Sequence, residues 1–323
     1  MEHNLKLITV LVPCYNEQES LPLLYERLTT VMDACPNYRW EVITVNDGST
    51  DATLGMLMQM HARDKRWRYI DLSRNFGKET AMLAGMDYAT GDCVVIMDSD
   101  LQHPPEMIPR MLEKWEQGFD DVYGVRLQRG RESWLRRSMS LLYYKLLQKT
   151  TRIPVLQNTG DFRLLDRICV DALTSMRECQ RYTKGLYCRI GFKKAGVEFE
   201  QQDREAGRSK WSFRSLLGLA IDGITSYTTA PLRFATVMGL LVSAAAFIYM
   251  IWVFIKAAIY GDPQAGFPTI MTVMLFLGGV QLLTLGILGE YVGRIFNEVK
   301  NRPSYFVREV DGIKVSSKAK DRG

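Results

Sequence analysis

Asp92-Cys93-Val94-Val95-Ile96-Met97-Asp98-Ser99-Asp100 is a short apolar run that stops abruptly on two carboxylates. A β-branched run of this length, bounded by charged residues, reads as a strand buried on both faces. In an open α/β sheet, ligands bind outside the carboxyl ends of the strands. Carboxylates at i and i+2, placed where the chain leaves the sheet, suit one hard divalent ion, which takes one or two carboxylates plus diphosphate oxygens. A lone D-x-D is common by chance. Its place at the end of a buried strand is what gives it weight.

The flanking sequence repeats the pattern. Residues 7–12, 40–45 and 67–72 are β-rich runs, and a further strand is expected at 121–125. Helical patterns lie between them at 19–32, 51–63, 77–88 and 105–117. This alternation predicts a mixed, mostly parallel sheet covered by helices. Two more strand ends carry polar groups, Pro13-Cys14-Tyr15-Asn16-Glu17 and Asn46-Asp47-Gly48-Ser49. Each alone reads as turn chemistry. Three on one edge of one sheet read as a binding site.

Composition sets the outer limits. The 323 residues carry 41 Lys+Arg against 36 Asp+Glu, a net charge of +5, and 47% are hydrophobic. These values exclude a disordered chain, a collagen-like chain and a small disulfide scaffold. Six cysteines without a C-x-x-C pair, and three histidines, give no zinc site and read as reduced thiols. Residues 1–9 hold no apolar run of signal-peptide length, so the first part of the chain is expected in the cytosol.

The mean hydropathy of −0.11 conceals two unlike parts. Residues 234–255 and 263–289 contain no charged residue, and a spanning helix needs about 20 mainly apolar residues. The seven-residue link between them is too short for a domain, so a helical hairpin crossing a membrane twice is expected. Arg233 precedes the first run, and Arg294, Lys300, Arg302 and Arg308 follow the second. The positive-inside rule then puts both ends in the cytosol. Residues 131–150 and 211–231 are basic stretches with an apolar stripe, which read as interfacial helices or as core-facing helices with a solvated face.

Taken in order, these segments resemble one family. Val-Pro-Cys-Tyr-Asn-Glu (12–17), Asn-Asp-Gly-Ser-Thr-Asp (46–51), Arg-Asn-Phe-Gly-Lys-Glu (74–79) and Asp-Ser-Asp-Leu-Gln (98–102) are similar to the inverting family-2 glycosyltransferases of GT-A, Rossmann-like fold. Gly-Asp-Phe-Arg-Leu (160–164), Arg-Ser-Lys-Trp (208–211) and the two spans ending Leu-Gly-Glu-Tyr-Val-Gly-Arg (288–294) resemble the polyprenyl-phosphate branch, most of all the bactoprenol glucosyltransferases of O-antigen modification. The likeness covers nearly the whole chain and is specific for the family, less so for the sugar.

The resemblance implies transfer of a hexose, glucose by likeness, from a UDP-sugar to undecaprenyl phosphate at the cytosolic face of a bacterial inner membrane. It implies Mg2+ or Mn2+ held by Asp100 and Asp98. It implies donor contacts from Pro13, Tyr15, Glu17, Asp47, Lys78, Asp98, Ser99, Asp100 and Gln102. Arg163, Arg204, Arg208, Ser209 and Lys210 would receive the acceptor phosphate. Asp161 is either a base or a ligand of a donor hydroxyl, because a phosphate monoester with a second pKa near 6 already carries nearly two charges and does not strictly need a base. A homo-oligomer, by likeness a tetramer, is expected, and no nucleic-acid partner. The expected division is a catalytic domain at 1–210, a juxtamembrane helix at 211–231, two spans within 232–290 and a cytosolic tail at 291–323. Alternatives are a mannosyl- or aminoarabinosyltransferase of the same branch, and a non-catalytic membrane protein that binds sugar nucleotides. A processive polysaccharide synthase is disfavoured, since two spans do not readily form a channel and Gln-x-x-Arg-Trp is absent from the sequence.

Overall fold

The computed structural model describes residues 5–126, 159–179, 181, 183–199, 230–260 and 266–315. They fall into two units. One holds the chain up to 211 apart from 149–151, together with 303–323; the other holds 149–151 and 212–302.

The first unit begins β1 (Leu7–Cys14), α1 (Leu21–Ala34), β2 (Arg39–Asn46), α2 (Thr53–Arg63), β3 (Trp67–Leu72), α3 (Lys78–Tyr88) and β4 (Cys93–Ile96). A short 3-10 turn (Pro105–Met107) leads into α4 (Ile108–Glu116) and β5 (Asp121–Arg126). Each element expected from the sequence lies here to within about two residues at either end. Beyond them the structure adds β6 (Thr159–Asp166), α5 (Arg167–Ser175), α6 (Thr183–Arg189), β7 (Lys194–Phe199), β8 (Val307–Val310) and β9 (Ile313–Lys314).

Among the described residues the strands form one sheet in the order β7-β5-β6-β4-β1-β2-β3-β8-β9. The stretch β4-β1-β2-β3 is parallel, as is the β5–β7 pair. The later strands interleave antiparallel neighbours, β6 against both β4 and β5, and β8 against β3. The sheet is therefore mixed, with its parallel character concentrated in the first half of the chain.

Alternation of side chains sorts the core into two layers. Val10, Val12, Val42 and Val95 face Leu24, Leu28, Leu57 and Met111 of α1, α2 and α4. Leu11, Ile43, Val94 and Ile96 face Met82, Val170 and Leu186 of α3, α5 and α6. Helices on both faces explain why the strands read as continuous apolar runs.

The second unit is the helix pair α7 (Ala230–Tyr260) and α8 (Phe267–Val299). Its outer surface is apolar: Leu240 is 70% exposed, Ile248 68%, Leu282 72% and Leu285 66%. An exposed apolar surface of this kind calls for lipid or a partner. Among the described residues, Phe276–Val299 is long and apolar enough to cross a membrane by length and composition, and Ala235–Tyr249 is a shorter apolar stretch. The expected interfacial helix at 131–150 lies outside the described residues, as does that at 211–231 up to residue 229.

Candidate active site

The register of β6 builds the centre of the site. Ile96 pairs with Arg163 across the antiparallel β4–β6 ladder. Continued by two residues beyond the end of β4, that register sets Asp98 opposite Asp161. Two carboxylates brought together at a sheet edge repel unless a cation lies between them. Lys78, the first residue of α3, supplies it: its Nζ is 2.6 Å from Asp98 Oδ1 and 2.8 Å from Asp161 Oδ2. Thus Lys78, Asp98 and Asp161, from three separate segments, form one charged junction.

The electrostatics of that junction are unequal. The side chain of Asp161 is 11% exposed. Burial alone would raise its carboxyl pKa, but Lys78, Lys184 and Arg163 outweigh burial and hold it down at about 2. Burial pushes the Lys78 ammonium down, and the charges of Asp98 and Asp161 more than reverse this, so it stays protonated. The Oδ1 atom of Asp161 is buried and has no hydrogen-bond partner among the described residues. Such an atom is costly unless a ligand or water completes it.

The other strand ends are stitched to one another. Asn16, in the left-handed region at φ 56°, donates its backbone N–H to Ser49 Oγ and accepts from Thr50 N–H through its side chain. Glu17 N–H donates to Thr53 Oγ1, and the Glu17 carboxylate accepts from Ser20 Oγ. Turn chemistry thus accounts for the contacts seen at these two strand ends. Pro13 is buried, while Tyr15 is 41% exposed at the rim.

Asp47 was expected among the donor contacts. It is buried, and its two oxygens accept the N–H groups of Phe76 (2.7 Å) and Gly77 (2.9 Å). Burial raises its pKa, and those two amides pull it part of the way back. What Asp47 does in this structure is fasten the 73–77 loop that delivers Lys78. Gly48 allows that close approach. Its φ is +65°, and a Cβ there would lie 2.5 Å from backbone atoms of Arg74 and Asn75.

After Asp98 the chain turns sharply. Ser99 is buried, Asp100 Oδ1 accepts Gln102 N–H at 3.2 Å, and the buried Leu101 sits at φ 57°. A left-handed leucine costs about 1–2 kcal/mol and keeps this turn tight. Among the described residues no three His, Cys, Asp or Glu side chains converge into a metal cage. Asp98 and Asp100 fit a hard divalent ion only if ligand oxygens complete its shell, as Mg2+ sites commonly require.

Arg163 was expected at the acceptor phosphate. Its side chain is 3% exposed, its Nη1 lies 2.9 Å from Asp121 Oδ2, and its guanidinium lies 3.6 Å from the centre of the Tyr187 ring. In this structure it is a buried structural cation beneath Asp161. Arg204, Arg208, Ser209 and Lys210 lie outside the described residues.

Three neighbours were not foreseen. Glu79 accepts both the N–H (3.0 Å) and the hydroxyl of Thr183, tying α3 to α6. Burial raises the Glu79 pKa and the nearby Asp161 charge adds to it, against hydrogen bonds from Thr183. Lys184, on the same short helix, adds to the positive field on Asp161. Glu79 closes the 74–79 motif beside Lys78, but nothing in the sequence gave it a role. Thr183 and Lys184 carry no local signal.

The helix-covered mixed sheet is of the GT-A, Rossmann-like kind. The comparisons agree: residues 9–173 match the glycosyl transferase family 2 model, and residues 230–295 match the GtrB C-terminal hairpin. The chain belongs to glycosyl transferase family 2, in the branch that carries this hairpin. It is 41% identical over 305 residues to the putative glycosyltransferase CsbB of Bacillus subtilis, covering 94% of this chain and 92% of that one. It is 40% identical over 302 residues to the SfII prophage-derived bactoprenol glucosyl transferase of Shigella flexneri, covering 94% and 97%. A looser likeness, at 19% identity and TM-score 0.49, is to glucosyl-3-phosphoglycerate synthase from Mycobacterium tuberculosis, solved with Mn2+, UDP and phosphoglyceric acid, covering 68% of this chain and 75% of that one.

Proposed function

We propose that this enzyme transfers glucose from UDP-glucose to undecaprenyl phosphate at a membrane surface, with inversion at the anomeric carbon. The observation that carries this reading is the full-length likeness, catalytic domain and C-terminal hairpin together, to proteins named bactoprenol glucosyl transferase.

The residues divide the work as follows. Asp98 and Asp100 would hold Mg2+ or Mn2+ together with the donor diphosphate, where the ion supplies Lewis-acid stabilisation of the leaving group's charge. Lys78 adds a fixed positive charge beside the leaving diphosphate. Pro13, Tyr15, Glu17, Ser99 and Gln102 line the donor side, and Asp47 holds the loop that closes it. Asp161 is too acidic to accept a proton efficiently near neutral pH. It is the ligand of a donor hydroxyl, and the dianionic acceptor attacks without a base. Arg204, Arg208, Ser209 and Lys210 receive that acceptor, since two anions must be drawn together.

The helix pair is read as two membrane spans. Its exposed apolar surface, with no charged residue over 234–255 and 267–289, supports this, and so does the path of the chain. β8 follows the helices yet pairs with β3 in the sheet that β1 begins. A sheet lies on one side of a bilayer, which supports an even number of crossings between β7 and β8. With the basic flanks, this favours a hairpin with both ends in the cytosol of a bacterial inner membrane. The chain is read as a homo-oligomer, a tetramer by likeness.

The test is to supply membranes containing the enzyme with undecaprenyl phosphate and a panel of labelled UDP- and GDP-sugars. Label from UDP-glucose is expected in a lipid-linked product. Preference for GDP-mannose or a UDP-aminopentose would move the enzyme to a sister activity. No lipid-linked product from any donor would leave a non-catalytic sugar-nucleotide binder.

A further inference from the structure

The tail after α8 ends in a strand bonded to the edge of the catalytic sheet, beside the loop that delivers Lys78. Ser73 N–H donates to the Phe306 carbonyl at 2.9 Å. Arg308 Nη2 donates to the Ser73 carbonyl at 2.9 Å, and its Nη1 lies 3.4 Å from Asp71 Oδ2. The Phe306 ring lies 6.4 Å from Phe76, which packs against the core and also carries the Arg74 guanidinium at 4.1 Å.

Two routes lead from these contacts into the site. Through Ser73 and Phe76, the tail holds the loop whose amides bind Asp47 and whose end is Lys78. Through Asp71, which accepts from Asn46 Nδ2 at 2.7 Å, it reaches the second strand end, where Asn46 Oδ1 accepts Ser49 N–H. Core packing does not account for the two tail residues, since Phe306 is 57% exposed and the Arg308 side chain 58%. Other residues anchor the strand. Asp311 bonds the Tyr69 N–H and Arg68 Nε at 2.9 Å each, and Tyr305 OH donates to Asp87 at 2.6 Å.

We propose that the C-terminal strand positions the donor side of the active site, with Phe306 and Arg308 as positioning residues of the 73–77 loop. The catalytic unit is then complete only once the chain beyond the helix pair has joined the sheet. This rests on the UDP-sugar reading above for its kinetic consequence, but not for its structural one.

The test uses the full chain as Phe306→Ala, Arg308→Ala and Arg308→Lys. Loss of a charge-assisted hydrogen bond at the rim of the site is expected to raise the KM for UDP-glucose about tenfold. The KM for undecaprenyl phosphate should stay within about twofold, and Arg308→Lys should recover part of the loss. Parallel rises in both KM values, or an unchanged donor KM, would overturn the proposal. Amide exchange read on the 73–77 peptide is independent of turnover. It should quicken in Arg308→Ala while β1 and β2 peptides keep their protection. Unchanged exchange there would overturn the proposal even if the donor proved to be another sugar nucleotide.

Discussion

Replacing Lys78 with glutamine removes the cation between Asp98 and Asp161 while keeping a chain of similar length. In the wild type the Asp161 carboxyl is depressed from its ordinary 3.8 to about 2. At 1.36 kcal/mol per unit this is worth about 2 kcal/mol. Lys78 is 42% exposed, so screening lowers its share, and about 1–2 kcal/mol is expected. The sign follows from linkage. A carboxyl with a depressed folded pKa contributes stability that is fully present above its unfolded value. That stability is lost as pH falls from about 4 towards about 2.

In Lys78→Gln the Asp161 carboxyl rises, since burial persists while its nearest cation is gone. The gap in stability between wild type and variant should therefore be full from pH 7 to 5 and close on further acidification. The assay is unfolding of the full chain in micelles at pH 7, 5, 4 and 3, alongside Asp161→Asn and the double variant. A coupling of about 1 kcal/mol or more between the two sites is expected at pH 7. Additive effects, or a gap that does not change from pH 7 to 3, would refute the junction.

Asp121→Asn leaves Arg163 buried without its anion and should cost about 3–5 kcal/mol, read as a fall in the unfolding midpoint. Gly48→Ala forces a Cβ into the 73–77 loop at positive φ; about 2–4 kcal/mol of destabilisation is expected, with weaker UDP-glucose binding by titration calorimetry. For catalysis, the acid limb of the pH–rate profile should follow the second ionisation of the acceptor phosphate near 6 and persist in Asp161→Asn. A limb that disappears with that carboxylate would make Asp161 the base. Asp100→Asn should raise the Mg2+ or Mn2+ concentration needed for half-maximal rate by about tenfold or more; unchanged metal dependence would remove Asp100 from the ion.

The first half of the sheet was legible because its signals are local. β1 to β4 are apolar runs separated by helical segments, and the D-x-D fell where a strand had to end. β8 was not legible, because its partner is distant in sequence. β8 pairs with a strand more than 230 residues earlier, and a four-residue Val-Arg-Glu-Val carries no hint of that. Arg163 illustrates the limit within the site. Its place beside Asp161 in a family-like motif suggested a phosphate ligand, and only the ladder brings Asp121 against it. Lys78 shows the reverse. The family likeness put it near the donor; what the structure shows, and the local sequence did not, is two carboxylates on either side of its ammonium.

The central claim is that a phosphate monoester on a polyprenyl chain accepts glucose from UDP-glucose. The most direct measurement incubates the purified full chain with labelled UDP-glucose, a divalent ion, and either undecaprenyl phosphate or undecaprenol. Labelled lipid should form with the phosphate alone, one mole for each mole of UDP released. Equal labelling of undecaprenol, or UDP release with free glucose and no labelled lipid, would contradict it.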